Sequence, residues 1–208
     1  IAFDIAQKFG HTIKKLEPAL VGFTVQKEQF WFKNLSGVSL PAKAFVEDKT
    51  FEGSLLFAHK GCSGPLILTT SLYWKKGKIV LDFLPNKKIE KFLTGNKNIS
   101  SSLPLAKRFI QEFLLSQDLE DKAVSKLTQD EIEKLKLLKN YEFSPAGNFG
   151  FTKAEVTKGG INTDEINHLS FESLKQKNLF FIAIIGGSIG SIIGMYQFRH
   201  KTKHRQFT

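Results

Sequence analysis

Phe51-Glu52-Gly53-Ser54-Leu55-Leu56-Phe57-Ala58-His59-Lys60-Gly61-Cys62-Ser63-Gly64-Pro65 is the stretch on which the fold turns. Phe51 to His59 reads as a strand. After Ser63-Gly64-Pro65, the run Leu66 to Trp74 reads as a helix, with Ser63 or Gly64 as its cap and Pro65 in its first turn. The stretch is thus a strand-to-helix corner. Leu16 to Val25 precedes it, with Val21, Phe23 and Val25 alternating as in a half-buried strand. Val38 to Glu47 reads as another strand, and Pro41 favours an edge position for it. Gly77 to Phe83 is a fourth, with Ile79, Leu81 and Phe83 on one face. Four strand candidates within the first 85 residues imply an α+β chain built on a small antiparallel β sheet or barrel.

The remaining segments read differently. Ile1 to His11 has Ile1, Ile5, Ala6 and Phe9 on one helical face and Gly10 as a stop. Residues 86–140 form a helical insert. Leu105, Phe109, Ile110, Phe113 and Leu114 make a helical stripe behind Pro104. Thr128-Gln129-Asp130-Glu131 has a capping-box layout ahead of Ile132, Leu135 and Leu138. Asn140 to Gly150 is loop-like, with Pro145, Gly147 and Gly150. Thr152 to Thr157 returns to extended structure.

Composition narrows the function less. The chain has 208 residues, 41% hydrophobic and 24% charged, so it can build a core. Its net charge is +10. Four of those charges, Arg199, Lys201, Lys203 and Arg205, fall after Leu179, where no acid opposes them. The rest of the lysine excess is spread along the chain, which argues for a solvated face and against a nucleic-acid partner. The single cysteine, Cys62, excludes an internal disulfide and fits a reducing compartment, so the expected location is cytoplasmic. Ile1 to Ile13 lacks the layout of a secretory leader, and the missing initiator Met reads as a start inside a longer frame.

Two strings carry candidate chemistry. In Phe57-x-His59-x-Gly61-x-Ser63-Gly64-Pro65, His59 is a candidate base or anion ligand, and Ser63 with the helix after it is a candidate carboxylate or phosphate site. The structural alternative is a corner with Ser63 as cap and His59 partly buried. In Val156-Thr157-Lys158-Gly159-Gly160-Ile161, the glycine pair permits positive φ and close backbone approach to a ligand, or simply makes a tight turn.

These strings, with Phe9-Gly10-His11-Thr12-Ile13 and Glu17-Pro18-Ala19-Leu20-Val21, resemble a family of bacterial NAD(P)/FAD-dependent oxidoreductases that includes aminoacetone oxidase. The resemblance implies an inserted β-barrel and helical domain within a flavin-binding domain. It divides the chain into residues 1–15, the end of a flavin-domain helix, and 16–150, the inserted domain, β-rich over 16–85 and helical over 86–140. Residues 151–182 would be a remnant of the flavin-binding α/β domain, and 183–208 a divergent apolar, then basic, tail. It also implies that Thr157, Gly159 and Gly160 lie on the flavin side. FAD is implied for complete members. This chain shows no Gly-x-Gly-x-x-Gly turn to hold pyrophosphate, so retention of FAD is not expected.

The resemblance therefore implies a fragment of an FAD-dependent oxidoreductase, inactive alone, whose partner is the missing FAD-binding half. The alternative rests on the tail. Leu179 to Phe198 carries no charge, spaces Gly186, Gly190 and Gly194 four apart, and precedes the basic cluster. That pattern reads as a tail anchor with inner-membrane association through 179–198, or as an out-of-frame continuation beyond Ala183. A basic soluble binding module is the third reading.

Overall fold

The computed structural model of the chain describes residues 2–165. These divide into two compact units. One comprises residues 2–16 with 159–165; the other is Glu17–Lys158.

The larger unit is a seven-stranded antiparallel sheet curled into a nearly closed barrel. Its strands are β2 (Phe23–Val25), β3 (Ser39–Val46), β4 (Lys49–Ala58), β5 (Gly61–Ser63), β6 (Ile79–Asp82), β7 (Tyr141–Phe143) and β8 (Pro145–Asn148). Their order is β7-β6-β3-β4-β5-β2-β8. The two edges are therefore consecutive in sequence, parted by Ser144 alone. Gln29 secures that switch. Its buried side chain donates to the Glu142 carbonyl at 2.8 Å and accepts from the Ser144 N–H at 3.2 Å. Backbone groups freed where the chain changes strands are thus paired.

Strand alternation sets the interior. Along β3, Leu40, Ala42, Ala44 and Val46 are buried and Pro41 and Phe45 exposed. β3 is central, not an edge as Pro41 suggests. The proline is tolerated because β3 pairs with β4 along its whole length but with β6 only from Lys43 to Phe45. The sequence-based strand over Leu16 to Val25 is two strands, since Leu20 takes a positive φ of 48° and separates β1 (Ile13–Ala19) from β2. Asn140 to Gly150, read as a loop, contains the closing strands β7 and β8.

Among the described residues, five α-helices belong to the barrel unit and one to the smaller unit. They are α1 (Ala2–Lys8), α2 (Trp31–Asn34), α3 (Pro65–Ser71), α4 (Ile99–Ser102), α5 (Lys107–Ser116) and α6 (Gln129–Lys136). The insert between β6 and β7 docks through α5, whose Phe109, Ile110, Phe113 and Leu114 are buried. Phe109 lies 5.0 Å from Phe83, 5.7 Å from Phe57 and 5.8 Å from Trp31 between ring centroids. Edge and tilted pairs of this kind add to the burial of large apolar surfaces. Trp31 Nε1 donates to the Tyr141 hydroxyl at 3.0 Å, so the polar edges inside this cluster are satisfied. Thr128 and Glu131 form the expected capping box on α6.

The smaller unit contains α1. β1 pairs with β9 (Val156–Ile161) in a two-stranded sheet. The α+β reading with an antiparallel barrel and helical insert holds. No parallel sheet of a flavin-binding α/β domain occurs among the described residues. Leu179 to Phe198, read as a membrane helix, lies outside them, and no described helix is long and apolar enough to cross a membrane.

Candidate functional site

The strand-to-helix corner is built by glycines and tight backbone contact. Gly64, with φ 89°, is the N-cap of α3; Ser63 lies within β5, paired with Leu56, and does not cap the helix. A Cβ on Gly64 would stand 2.8 Å from the Ser54 carbonyl oxygen, so this conformation requires glycine. The backbone thus accounts for the Ser63-Gly64-Pro65 string. Cys62 beside it is fully buried, and burial drives its thiol pKa well up, which removes it as a nucleophile at neutral pH.

His59 has a different setting. It is exposed in the β4–β5 turn, and its Nδ1 is 2.9 Å from the Ser36 hydroxyl. It lines an open cleft of about 460 Å³ with Thr24, Ala58, Lys60, Asn148, Phe149, Thr152 and Lys153. The structure therefore brings His59 together with residues some ninety positions away, and leaves Ser63 out.

Sheet pairing explains the assembly. β2 lies between β5 and β8, with Phe23 opposite Cys62 on one side and Asn148 on the other. Thr24 forms the floor. The β4–β5 turn raises His59 and Lys60 on one flank. The chain leaving β8 raises Phe149, Thr152 and Lys153 on the other. A register shift between Thr24 and Val25 marks the floor. There the Val25 N–H bonds to the Lys60 carbonyl at 3.3 Å. Bulges of this kind redirect side chains at barrel rims.

Phe149 is the central group of the second flank. Its N–H donates to the Gly22 carbonyl at 3.0 Å, and its ring rests over Gly22, where a Cβ would meet Cε2 at 2.5 Å. The ring is half-buried, held against the barrel and lining the cleft. The Asn148 side chain accepts from the Gly150 N–H at 2.9 Å and fixes the turn that follows. Phe151, the next aromatic, is 55% exposed. Among the described residues, the lining carries His59, Lys60 and Lys153 and no carboxylate. An aromatic face beside lysines, with hydroxyl and amide groups at hand, suits a flat polyanion.

A second basic cleft, of about 650 Å³, is lined by Asn86, Lys87, Lys88, Ile89, Glu90 and Lys139. It has no aromatic ring. Lys139 is committed to Asp82 and the Leu84 carbonyl, both at 2.7 Å.

Thr157, Gly159 and Gly160 lie in β9. Gly159 passes the backbone of β1 so closely that a Cβ would stand 2.1 Å from the Lys15 carbonyl oxygen, and Gly160 is buried against the Phe3 ring. The positive φ values of Gly159 and Gly160 accompany these close contacts with strand and helix.

Comparison with known proteins gives the family. The family described as HI0933-like protein barrel and H2TH domain matches residues 17–156. Residues 174–207 match a second one, described as protein of unknown function (DUF1294). Two curated relatives, from Haemophilus influenzae and Escherichia coli, are both called ribosomal RNA dihydrouridine synthase. Each is 30% identical over 95% of this chain, and the chain spans 52% of each. These findings overturn the resemblance to the aminoacetone oxidase family and the reading as a fragment of such an oxidoreductase. Within the strings that carried it, Gly61, Gly64 and Gly159 are required by close backbone approach. The tail-anchor alternative rests on residues 179–198, which lie outside the described residues.

Proposed function

This chain belongs to the HI0933-like barrel and H2TH family, and on that premise we propose that it is part of a protein that makes dihydrouridine in ribosomal RNA, with the barrel unit holding the RNA. The observation that carries the reading is the alignment of nearly the whole chain with two relatives of that name. The carboxylate-free cleft with Lys60, Lys153 and Phe149 supports it. The spread of lysines set nucleic acid aside; the fold instead gathers some of them beside an aromatic ring.

Saturating the C5–C6 bond of a uracil takes a hydride and a proton. No described residue is assigned that step. We place the hydride donor, with any FAD, outside Glu17–Lys158. The finer reading of residues 1–15 and 151–182 as the margin of a flavin-binding α/β domain stays within this proposal, since β1 enters and β9 leaves the barrel as paired strands. A ribosomal RNA substrate also fits a cytoplasmic setting.

Two measurements test this. Ribosomal RNA from a strain lacking the gene should lose dihydrouridine by mass spectrometry, and an unchanged content would refute the reading. The purified chain should bind ribosomal RNA with an affinity that falls steeply with salt. Failure to bind at low salt would remove the assigned role of the barrel.

A further inference from the structure

We infer that the His59–Lys153 cleft takes one unpaired nucleotide of the RNA, its base on the Phe149 ring and its flanking phosphates at Lys60 and Lys153. The inference rests on the RNA-binding reading and goes beyond it by naming single-stranded RNA as the form bound.

The geometry separates this cleft from a general basic surface. A duplex presents phosphates and groove edges but no free base face, so it has no use for an aromatic platform. Phe149 lines the cleft half-buried on a fixed mount, with its backbone bonded to Gly22 and Cδ2 and Cε2 of its ring against that glycine. Each flank contributes one lysine, Lys60 and Lys153, so successive phosphates of one strand can meet a cation on either side. Thr24, Thr152 and Asn148 line the space between with groups that hydrogen-bond base edges. The volume of about 460 Å³ suits one nucleotide. The larger Lys87–Lys88 cleft lacks an aromatic face and contains the Glu90 carboxylate.

The test uses the full chain and three probes: a labelled oligouridylate of about ten nucleotides, a blunt RNA duplex of the same length, and uridine monophosphate. The single strand is expected to bind more tightly than the duplex, with the monophosphate a weak competitor. Phe149→Leu keeps apolar packing over Gly22 but removes the π face; it should weaken strand binding about tenfold and leave the salt dependence unchanged. Phe149→Tyr should restore affinity. Lys60→Gln and Lys153→Gln should each reduce the slope of log K against log salt by about 0.7. These lysine variants keep the test open if Phe149→Leu lowers the melting temperature.

Equal binding of strand and duplex, or full affinity in Phe149→Leu, overturns the nucleotide pocket while the RNA-binding reading stands. Monophosphate binding as tight as the strand would make the cleft a free-nucleotide site and also overturn it. No binding to either RNA removes both.

Discussion

Gly61→Ala is the substitution that most directly probes how the barrel and its cleft are joined. Gly61 sits opposite Thr24 where β5 crosses β2. An added Cβ would lie 2.0 Å from the Phe23 carbonyl oxygen. Carbon and carbonyl oxygen ordinarily keep at least about 3.3 Å, so the strands must part by roughly 1.3 Å. Phe23 cannot yield cheaply. It is paired on both sides, to Cys62 and Asn148, and its buried ring packs edge-on against Trp74 at 5.0 Å. Overpacking of this kind costs about 1–3 kcal/mol, and loosening one ladder bond adds about 1 kcal/mol. The expected loss is about 2–4 kcal/mol, a large share of a typical domain stability of about 5–15 kcal/mol. Urea denaturation measures it, with two glycines as internal standards. Gly53 lies in β4 with its nearest neighbour, Leu66, at 3.5 Å, so Gly53→Ala should stay within about 0.5 kcal/mol of the parent. Gly77 has nothing within 4 Å but a φ of +89°, so Gly77→Ala should lose only the left-handed strain of about 1–2 kcal/mol. If Gly61→Ala loses no more than Gly77→Ala, the close β2–β5 approach does not organise the barrel as argued. Gly61→Ala should also weaken RNA binding, since Lys60 is displaced with the turn.

Three further outcomes follow from the packing and electrostatics. Phe109→Ala removes the ring that joins the helical insert to Phe57 and Phe83, and should lose about 3–5 kcal/mol by denaturation. Thr128→Ala deletes one half of the α6 capping box and should lose about 1 kcal/mol, with hydrogen exchange accelerated in the first turn of α6 alone. The Glu165 carboxyl is lowered to about 2, chiefly by the Thr12 side-chain and backbone bonds. Its stabilising contribution is therefore complete above the ordinary value of 4.5 and fades as pH falls from there through about 2. An NMR titration should show this, and Thr12→Val should move the midpoint upward; a Glu165 midpoint at the ordinary value would contradict the Thr12 contacts.

The legible parts of the fold were those that carry their own periodicity. β3, β4 and β6 alternate over four to ten residues, and α5 and α6 show stripes and a capping box. β2 was legible through Phe23 and Val25, but β5 and β7 have three residues each, too few for a pattern, and β8 carries Pro145 and Gly147. Those last three are strands only because neighbours pair with them. Tyr141 to Asn148 contains a proline and a glycine, yet closes the barrel, because Gln29 satisfies the backbone where it changes strands. Pro41 misled in the same way: its edge signal was real but local to the end of β3 that β6 does not reach.

The site divides along the same line. His59 stood out by residue type, but Thr24, Phe149 and Lys153 did not, since their meeting depends on the β5-β2-β8 order. The one local signal, Phe149-Gly150-Phe151-Thr152-Lys153, interleaves aromatic and basic residues within a turn. The glycine strings were more conspicuous and less informative about chemistry. Gly64 and Gly159 are demanded here by the close approach of neighbouring backbone. A resemblance built on such positions identifies the barrel. The side chains lining the cleft between the β4–β5 turn and the exit of β8 are under no such geometric demand. Substituting Lys60, Lys153 or Phe149 is therefore expected to change the proposed RNA binding more than the folding of the unit.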